Sequence, residues 1–232
     1  MLEGKILVTG TGGFLGTTVL SKLKEKGYDV VSISGSSRCD LRSQTEVENL
    51  FNQESPDIII HLAGRVGGIG INKENPGRFL YDNLIMGANL IEQSRKSNCK
   101  KFVMVGTVCS YPKYTEVPFK EDDIWNGYPE ETNAPYGIAK KTLMQMIISY
   151  KKQYKFNGIN LIPVNMYGPH DNFNPDSSHV IPAIILKIKN AMKQEDHEDL
   201  EVWGTGSASR EFLYVEDSAE AIISAMEKIE PM

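Results

Sequence analysis

Five short apolar runs rich in β-branched residues, separated by longer segments of mostly helical period, constrain this chain more than any other feature. They are Lys5-Ile-Leu-Val-Thr9, Asp29-Val-Val-Ser-Ile-Ser34, Asp57-Ile-Ile-Ile-His-Leu62, Lys101-Phe-Val-Met-Val-Gly-Thr107 and Gly158-Ile-Asn-Leu-Ile-Pro-Val-Asn165. A run that is apolar at nearly every position, rather than at every second one, is covered on both faces. That is the condition of strands in a parallel sheet clad by helices. Helices are predicted over about 14–26, 44–53, 78–97 and 136–154, with two more near 181–192 and 215–227. The fold class that follows is α/β, a Rossmann-type doubly wound parallel sheet.

The 232 residues suit one main domain, large enough for a substantial core. Beyond Asn165 the pattern changes to a loop rich in Pro, Asn, Asp and Ser. Residues 1–165 are therefore read as a nucleotide-binding domain and 166–232 as a second region interleaved with the last sheet elements. Lys plus Arg number 25 against 30 Asp plus Glu, and no basic run occurs. This balance argues against nucleic acid and anionic membranes as partners. Three cysteines, Cys39, Cys99 and Cys109, form no C-x-x-C pair, so neither a disulfide framework nor a metal site is expected. With no apolar stretch near the roughly 20 residues of a membrane span, the expected location is cytoplasmic.

The chemistry begins at the first strand-to-helix turn, Gly10-Thr-Gly12-Gly13-Phe14-Leu15-Gly16. Glycines at 10, 13 and 16 let the backbone turn sharply and bring amide N–H groups to a helix start, where a pyrophosphate is held. Glycines also mark ordinary tight turns, but the strand before and the helical pattern after make a dinucleotide the better reading. The second strand ends in Ser34-Gly-Ser-Ser-Arg38, with no acid at its tip to hold a ribose 2′-hydroxyl. Arg38 among small hydroxyl residues fits a 2′-phosphate, so NADP is expected rather than NAD, unless Arg38 is a plain exposed loop charge. Asp40 is placed either to accept the adenine amino group or to cap a helix.

Tyr136 and Lys140 stand four apart on a predicted helix, on one face, where a cation can tune a phenol. Thr107 ends the fourth strand on the same sheet edge as the glycine loop. A hydroxyl, a phenol and an ammonium there form a carbonyl-reducing site: Thr107 bonds the substrate oxygen and Tyr136 protonates it. Lys140 holds the cofactor ribose and lowers the phenol pKa from about 10. The bland alternative is an aromatic packed beside a surface lysine.

In this order the glycine loop, Thr107, Tyr136 and Lys140 resemble an extended short-chain dehydrogenase/reductase, and within that superfamily the GDP-L-fucose synthases. The carrying stretches are Arg65-Val-Gly-Gly-Ile69, Cys109-Ser-Tyr-Pro-Lys113, Asn133-Ala-Pro-Tyr-Gly-Ile-Ala-Lys140, Asn165-Met-Tyr-Gly-Pro-His-Asp-Asn-Phe173, Ser178-His-Val-Ile-Pro182, Val202-Trp-Gly-Thr-Gly206 and Arg210-Glu-Phe-Leu213. The resemblance implies a GDP-linked 4-keto-6-deoxy sugar that is epimerised at C3 and C5 and reduced at C4 by NADPH. It also implies a homodimer built on the two long helices. Cys109 and His179 match the family's acid/base pair, although a lone cysteine is commonly a small buried hydrophobe and a lone histidine a helix-start residue. Leu62, Ala63 and Gly64 join the cofactor-binding set, and Asn165, Lys187, Trp203 and Arg210 the substrate-binding set. Asn165 and Arg210 have the bland alternative of a strand cap and a surface ion pair, and His170 is read as structural or as part of the cofactor loop.

Three departures qualify this resemblance. Thr107 stands where the family usually has serine, keeping the hydroxyl and adding a methyl. Lys187 stands where it usually has arginine, exchanging a bidentate contact for a point charge. Members of the family also continue past the point matching Met232, so the substrate region is expected to be partial. A 4,6-dehydratase would need an Asp-Glu pair after the hydroxyl residue, where this chain has Val108 and Cys109. Another nucleotide-sugar 4-epimerase or 4-reductase on the same fold and a noncatalytic NADP-binding or assembly subunit remain the alternatives.

Overall fold

In the computed structural model, residues 3–175, 177–193, 205–207 and 209–229 are described, with Ile69 as backbone alone. Strands β1 (Ile6–Thr9), β2 (Val30–Ile33), β3 (Ile58–His61), β4 (Lys101–Val105) and β5 (Gly158–Leu161) form one parallel sheet in the order β2-β1-β3-β4-β5. Helix α1 (Phe14–Glu25) and α2 (Gln44–Glu54) link the first three strands. A short α3 (Ile69–Glu74) and the long α4 (Pro76–Lys96) lead to β4, and α5 (Ala134–Tyr154) leads to β5.

The fifth run does not remain one strand. Pro163 has no N–H to give to a ladder, and β5 ends before it, at Leu161. Asn165–Tyr167 becomes β6, which pairs in parallel with β7 (Phe212–Tyr214) in a separate two-stranded sheet. Between them lies α6 (Val180–Ala191), and α7 (Val215–Lys228) follows β7 directly.

Alternation along each strand sorts side chains to two cores. Ile6, Val8, Ile58, Ile60 and Val103 pack with Val19 and Leu23 of α1 and with Ala219, Ile222 and Met226 of α7. Leu7, Ile59, Phe102 and Met104 pack on the other face with Leu50 and Phe51 of α2, Leu90 of α4 and Leu143 and Ile147 of α5. Helix α7 therefore returns to the first sheet although it lies far beyond residue 165. Buried Lys101 fastens it there, its Nζ donating to the carbonyls of Met226 (2.8 Å) and Ile229 (2.7 Å) at the helix end. Among the described residues no helix is long and apolar enough to cross a membrane, and no cluster of His, Cys, Asp and Glu forms a metal site.

Candidate active site

The chain leaves β1 for α1 at a topological switch point: β2 lies to one side of β1 and β3 to the other. Ligands of open α/β sheets enter outside the strand ends at such a point. Gly10 has a positive φ of 78°, and a Cβ there would lie 2.6 Å from the Ala63 backbone nitrogen, so only glycine lets the loops after β1 and β3 meet. A Cβ on Gly16 would strike the Gly10 carbonyl, which keeps α1 close against the same turn. Gly13 caps α1 without a side-chain hydrogen bond, and no acid occupies the first turn. Helix geometry leaves the N–H groups of Phe14, Leu15 and Gly16 without intrahelical acceptors. The unpaired N–H groups, the glycines without side chains and the absence of acids at this turn fit a dinucleotide pyrophosphate.

The rest of the expected cofactor set is arranged around that turn. Leu62, Ala63 and Gly64 follow β3 directly, and the Ala63 N–H donates to Thr9 Oγ1 at 3.2 Å. Thr9 Oγ1 also pairs with Nδ1 of fully buried His61 at 2.9 Å. Arg38 is exposed and bonds the Ser32 carbonyl (2.7 Å) and Glu54 (3.0 Å). The Asp40 carboxylate is taken up by Arg42 through Nε (2.9 Å) and Nη2 (2.7 Å), which brings its pKa down to about 2. The cap of α2 is Ser43, accepting from Glu46 N–H at 3.3 Å, so Asp40 does not serve as that cap.

Thr107, Cys109, Tyr136 and Lys140 come together where the chain leaves β4 and where α5 begins. Thr107 caps a single 3₁₀ turn, Val108–Ser110, its Oγ1 accepting from the Cys109 N–H at 3.1 Å. This turn lies against α5 at Gly137, where a Cβ would collide with the Cys109 carbonyl. Ser110 Oγ donates to the Gly137 carbonyl at 2.9 Å and closes the same contact. Tyr136, one residue before Gly137, is thereby held beside the turn that bears Thr107 and Cys109. Glu130 prepares the helix start, its Oε2 accepting from the N–H groups of Thr132 (3.2 Å) and Asn133 (3.1 Å).

The electrostatics correct one expectation. Burial foremost, and then the neighbouring Cys109, push the Tyr136 pKa up, while the Thr107 hydroxyl draws it down. Lys140 does not lower it: its Nζ donates to the Val105 carbonyl at 3.0 Å, and burial brings the ammonium's own pKa down to about 8. The Cys109 thiol is likewise raised by burial, partly offset by Thr107. In this state the phenol and the thiol both carry their protons at neutral pH.

A hydroxyl, a phenol and a lysine beside a glycine cradle are what a carbonyl-directed nucleotide enzyme requires, and the sequence model for the NAD dependent epimerase/dehydratase family matches residues 6–232. The chain belongs to this family. It is 40% identical to a GDP-L-fucose synthase of Sinorhizobium fredii, over 96% of this chain and 71% of that protein. It is 39% identical to a GDP-L-colitose synthase of Yersinia pseudotuberculosis, over 94% of this chain and 70% of that protein. Among solved structures, a GDP-L-fucose synthetase from Naegleria fowleri bound to NADP superposes with a TM-score of 0.86 at 31% identity, covering 97% of this chain and 74% of that one.

The positions that the resemblance assigns to the substrate are less gathered than Thr107, Cys109, Tyr136 and Lys140. Exposed His179 caps α6 in extended backbone, and Lys187 lies half-buried two turns along that helix. Asn165 opens β6, donates to the Glu211 carbonyl at 3.3 Å and pairs in register with Phe212, two residues after Arg210. Arg210 itself bonds the Ser209 carbonyl. His170 adopts a positive φ of 69° in the loop after β6. Trp203 lies outside the described residues.

Two supports of the site are absent from the sequence-based expectations. Glu130 is a solvated charge by pattern, and only its place before the α5 cap gives it a role. Asp82, buried in α4, receives Arg65 Nε (2.7 Å) and Arg42 Nη1 (3.4 Å), tying the loop after β2 to the loop after β3. An acid on the inner face of a predicted helix was the available signal.

Proposed function

We propose that the protein is an NADPH-dependent epimerase/reductase of a GDP-linked sugar, converting GDP-4-keto-6-deoxy-D-mannose to GDP-L-fucose. The observation that carries this reading is the packing of the turn bearing Thr107 and a half-buried, protonated Cys109 against the start of α5, beside Tyr136 and within about one turn of Lys140. Residues 1–165 would hold the cofactor, with Gly10, Gly12, Gly13 and the α1 amides at the pyrophosphate, and residues 166–232 would contribute to the sugar and its nucleotide. When bound, NADPH supplies the hydride for C4.

The ketone at C4 acidifies the protons on C3 and C5, and inversion requires a base on one face and an acid on the other. Cys109 and His179 are assigned as that pair. Negative charge develops on the C4 oxygen at each inversion, and Thr107 and Tyr136 donate to it. Tyr136, kept protonated by its surroundings, then gives its proton to that oxygen during reduction. Lys140 holds the cofactor ribose, while Asn165, Lys187, Trp203 and Arg210 are assigned to the substrate. A homodimer completes the reading: α4 and α5 lie side by side and expose Leu80, Tyr81 and Tyr154, which a partner's matching helices would cover. Three free cysteines suit a reducing, cytoplasmic setting.

Incubation with GDP-4-keto-6-deoxymannose and NADPH in deuterated water tests the chemistry. Loss of nicotinamide absorbance with deuterium at C3 and C5 is expected by NMR. Reduction without exchange would replace this reading by a simple 4-reductase, and bound NADPH without turnover by a noncatalytic subunit. Light scattering that found only monomer would remove the dimer.

A further inference from the structure

The catalytic cluster contains Cys109 but not His179, which arrives on a separate segment ahead of α6. What places that segment is visible after β3, the strand that pairs directly with β4. The loop after β3 carries Gly67 and Gly68, and the Gly68 N–H donates to the Ser177 carbonyl at 3.3 Å. A Cβ on Gly68 would lie 3.2 Å from the Ser178 carbonyl, so the two backbones are in close approach immediately before His179.

Asn72 holds this loop. The residue is 4% exposed, and its Nδ2 donates to the carbonyls of both Gly67 (2.7 Å) and Gly68 (3.0 Å). Its Oδ1 is buried without a hydrogen-bond partner. The orientation is therefore dictated by the two donors: turned over, the amide would set its oxygen against two carbonyl oxygens. Cross-linking both carbonyls fixes the direction of the Gly68 N–H, and with it the position of Ser177, Ser178 and His179.

We propose that Asn72 is a positioning residue for His179, fixing through the Gly67–Gly68 loop where the imidazole stands over the sugar. This rests on the acid/base role assigned to His179 above. Asn72 touches none of the reacting groups, and its effect belongs to the step that uses His179 rather than to hydride transfer or cofactor binding.

Two variants separate this from space filling. Asn72→Asp keeps the shape but replaces the two donors by oxygens, and Asn72→Ala removes both. With the holoenzyme and GDP-4-keto-6-deoxymannose, both variants are expected to lower deuterium incorporation at one of C3 or C5 by at least about tenfold, the scale of one displaced catalytic group. The sugar reduced without complete inversion should accumulate, as with His179→Asn, while NADPH affinity is unchanged. Combining Asn72→Ala with His179→Asn should add nothing further.

Hydrogen exchange read by mass spectrometry supplies the arm that does not depend on turnover. Backbone amides over 177–183 should exchange faster in either Asn72 variant, with 102–105 of the sheet unchanged. A wild-type-like Asn72→Asp product ratio, additive effects in the double variant, or unaltered exchange over 177–183 would each overturn the proposal. Absence of C3 and C5 exchange in the wild type itself would overturn the His179 assignment instead, leaving the 177–183 measurement to judge the clamp.

Discussion

Tyr136 sits in surroundings that raise its pKa, and Thr107 alone draws it down. A phenol so placed is a proton donor across the neutral range, with no ionised fraction to lose. Replacing it by phenylalanine should slow C4 reduction by about 10²–10⁴-fold and leave NADPH affinity intact, as single-turnover absorbance and equilibrium binding would show. His61 offers a different test. Burial first, and the charge of Lys140 second, push its pKa well below the ordinary value. The unfolded chain therefore binds a proton that the folded chain refuses. The neutral ring's contribution is complete above the unfolded value of about 6.5 and is lost as pH falls below it. The slope approaches about 1.4 kcal/mol per pH unit for one proton. Denaturant unfolding between pH 5 and 7 should show this slope, and His61→Gln should flatten it.

The elements position these groups through contacts that no single element contains. Gly137 is one residue past the phenol, and the Cys109 carbonyl occupies the space a methyl would need. Gly137→Ala should cost about 1–3 kcal/mol from overpacking. The larger effect falls on turnover, because the 3₁₀ turn bearing Thr107 and Cys109 must move away from Tyr136. A variant that lost stability by this amount yet kept wild-type kcat would show that the turn is free to shift. The tyrosine and lysine spacing was legible in the sequence because both lie on one helix with a fixed period. Their electrostatic relation was not. The expected tuning of the phenol by Lys140 fails because the ammonium turns to the Val105 carbonyl and is itself depressed by burial.

At the scale of the whole molecule, α7 joins the end of the described chain to the first sheet. Its apolar face contributes Ala219, Ile222 and Met226 to the core behind β1, β3 and β4. The Lys101 ammonium is its polar anchor, serving two terminal carbonyls from inside the protein. Lys101→Met keeps the length and removes the donors, so unfolding free energy should fall by about 1–3 kcal/mol for buried acceptors left unmet. Faster amide exchange over 222–229 should accompany that fall. Unchanged stability and exchange would mean that apolar packing alone holds the helix.

The parallel sheet and its helices were determined by the sequence itself, since strand and helix periods and the glycine spacing are local properties that the backbone must obey. Thr107, Tyr136 and Lys140 were legible for the same reason, each standing at a strand end or on one helix face. Tertiary structure decided what depends on distant segments meeting. Pro163 sent Asn165 out of the main sheet and into a pair with β7. Asp82 of α4 drew in Arg42 and Arg65 from two different loops, and burial kept the phenol and thiol protonated. Such outcomes follow from desolvation and from partners many residues away, and neither quantity is written in local periodicity.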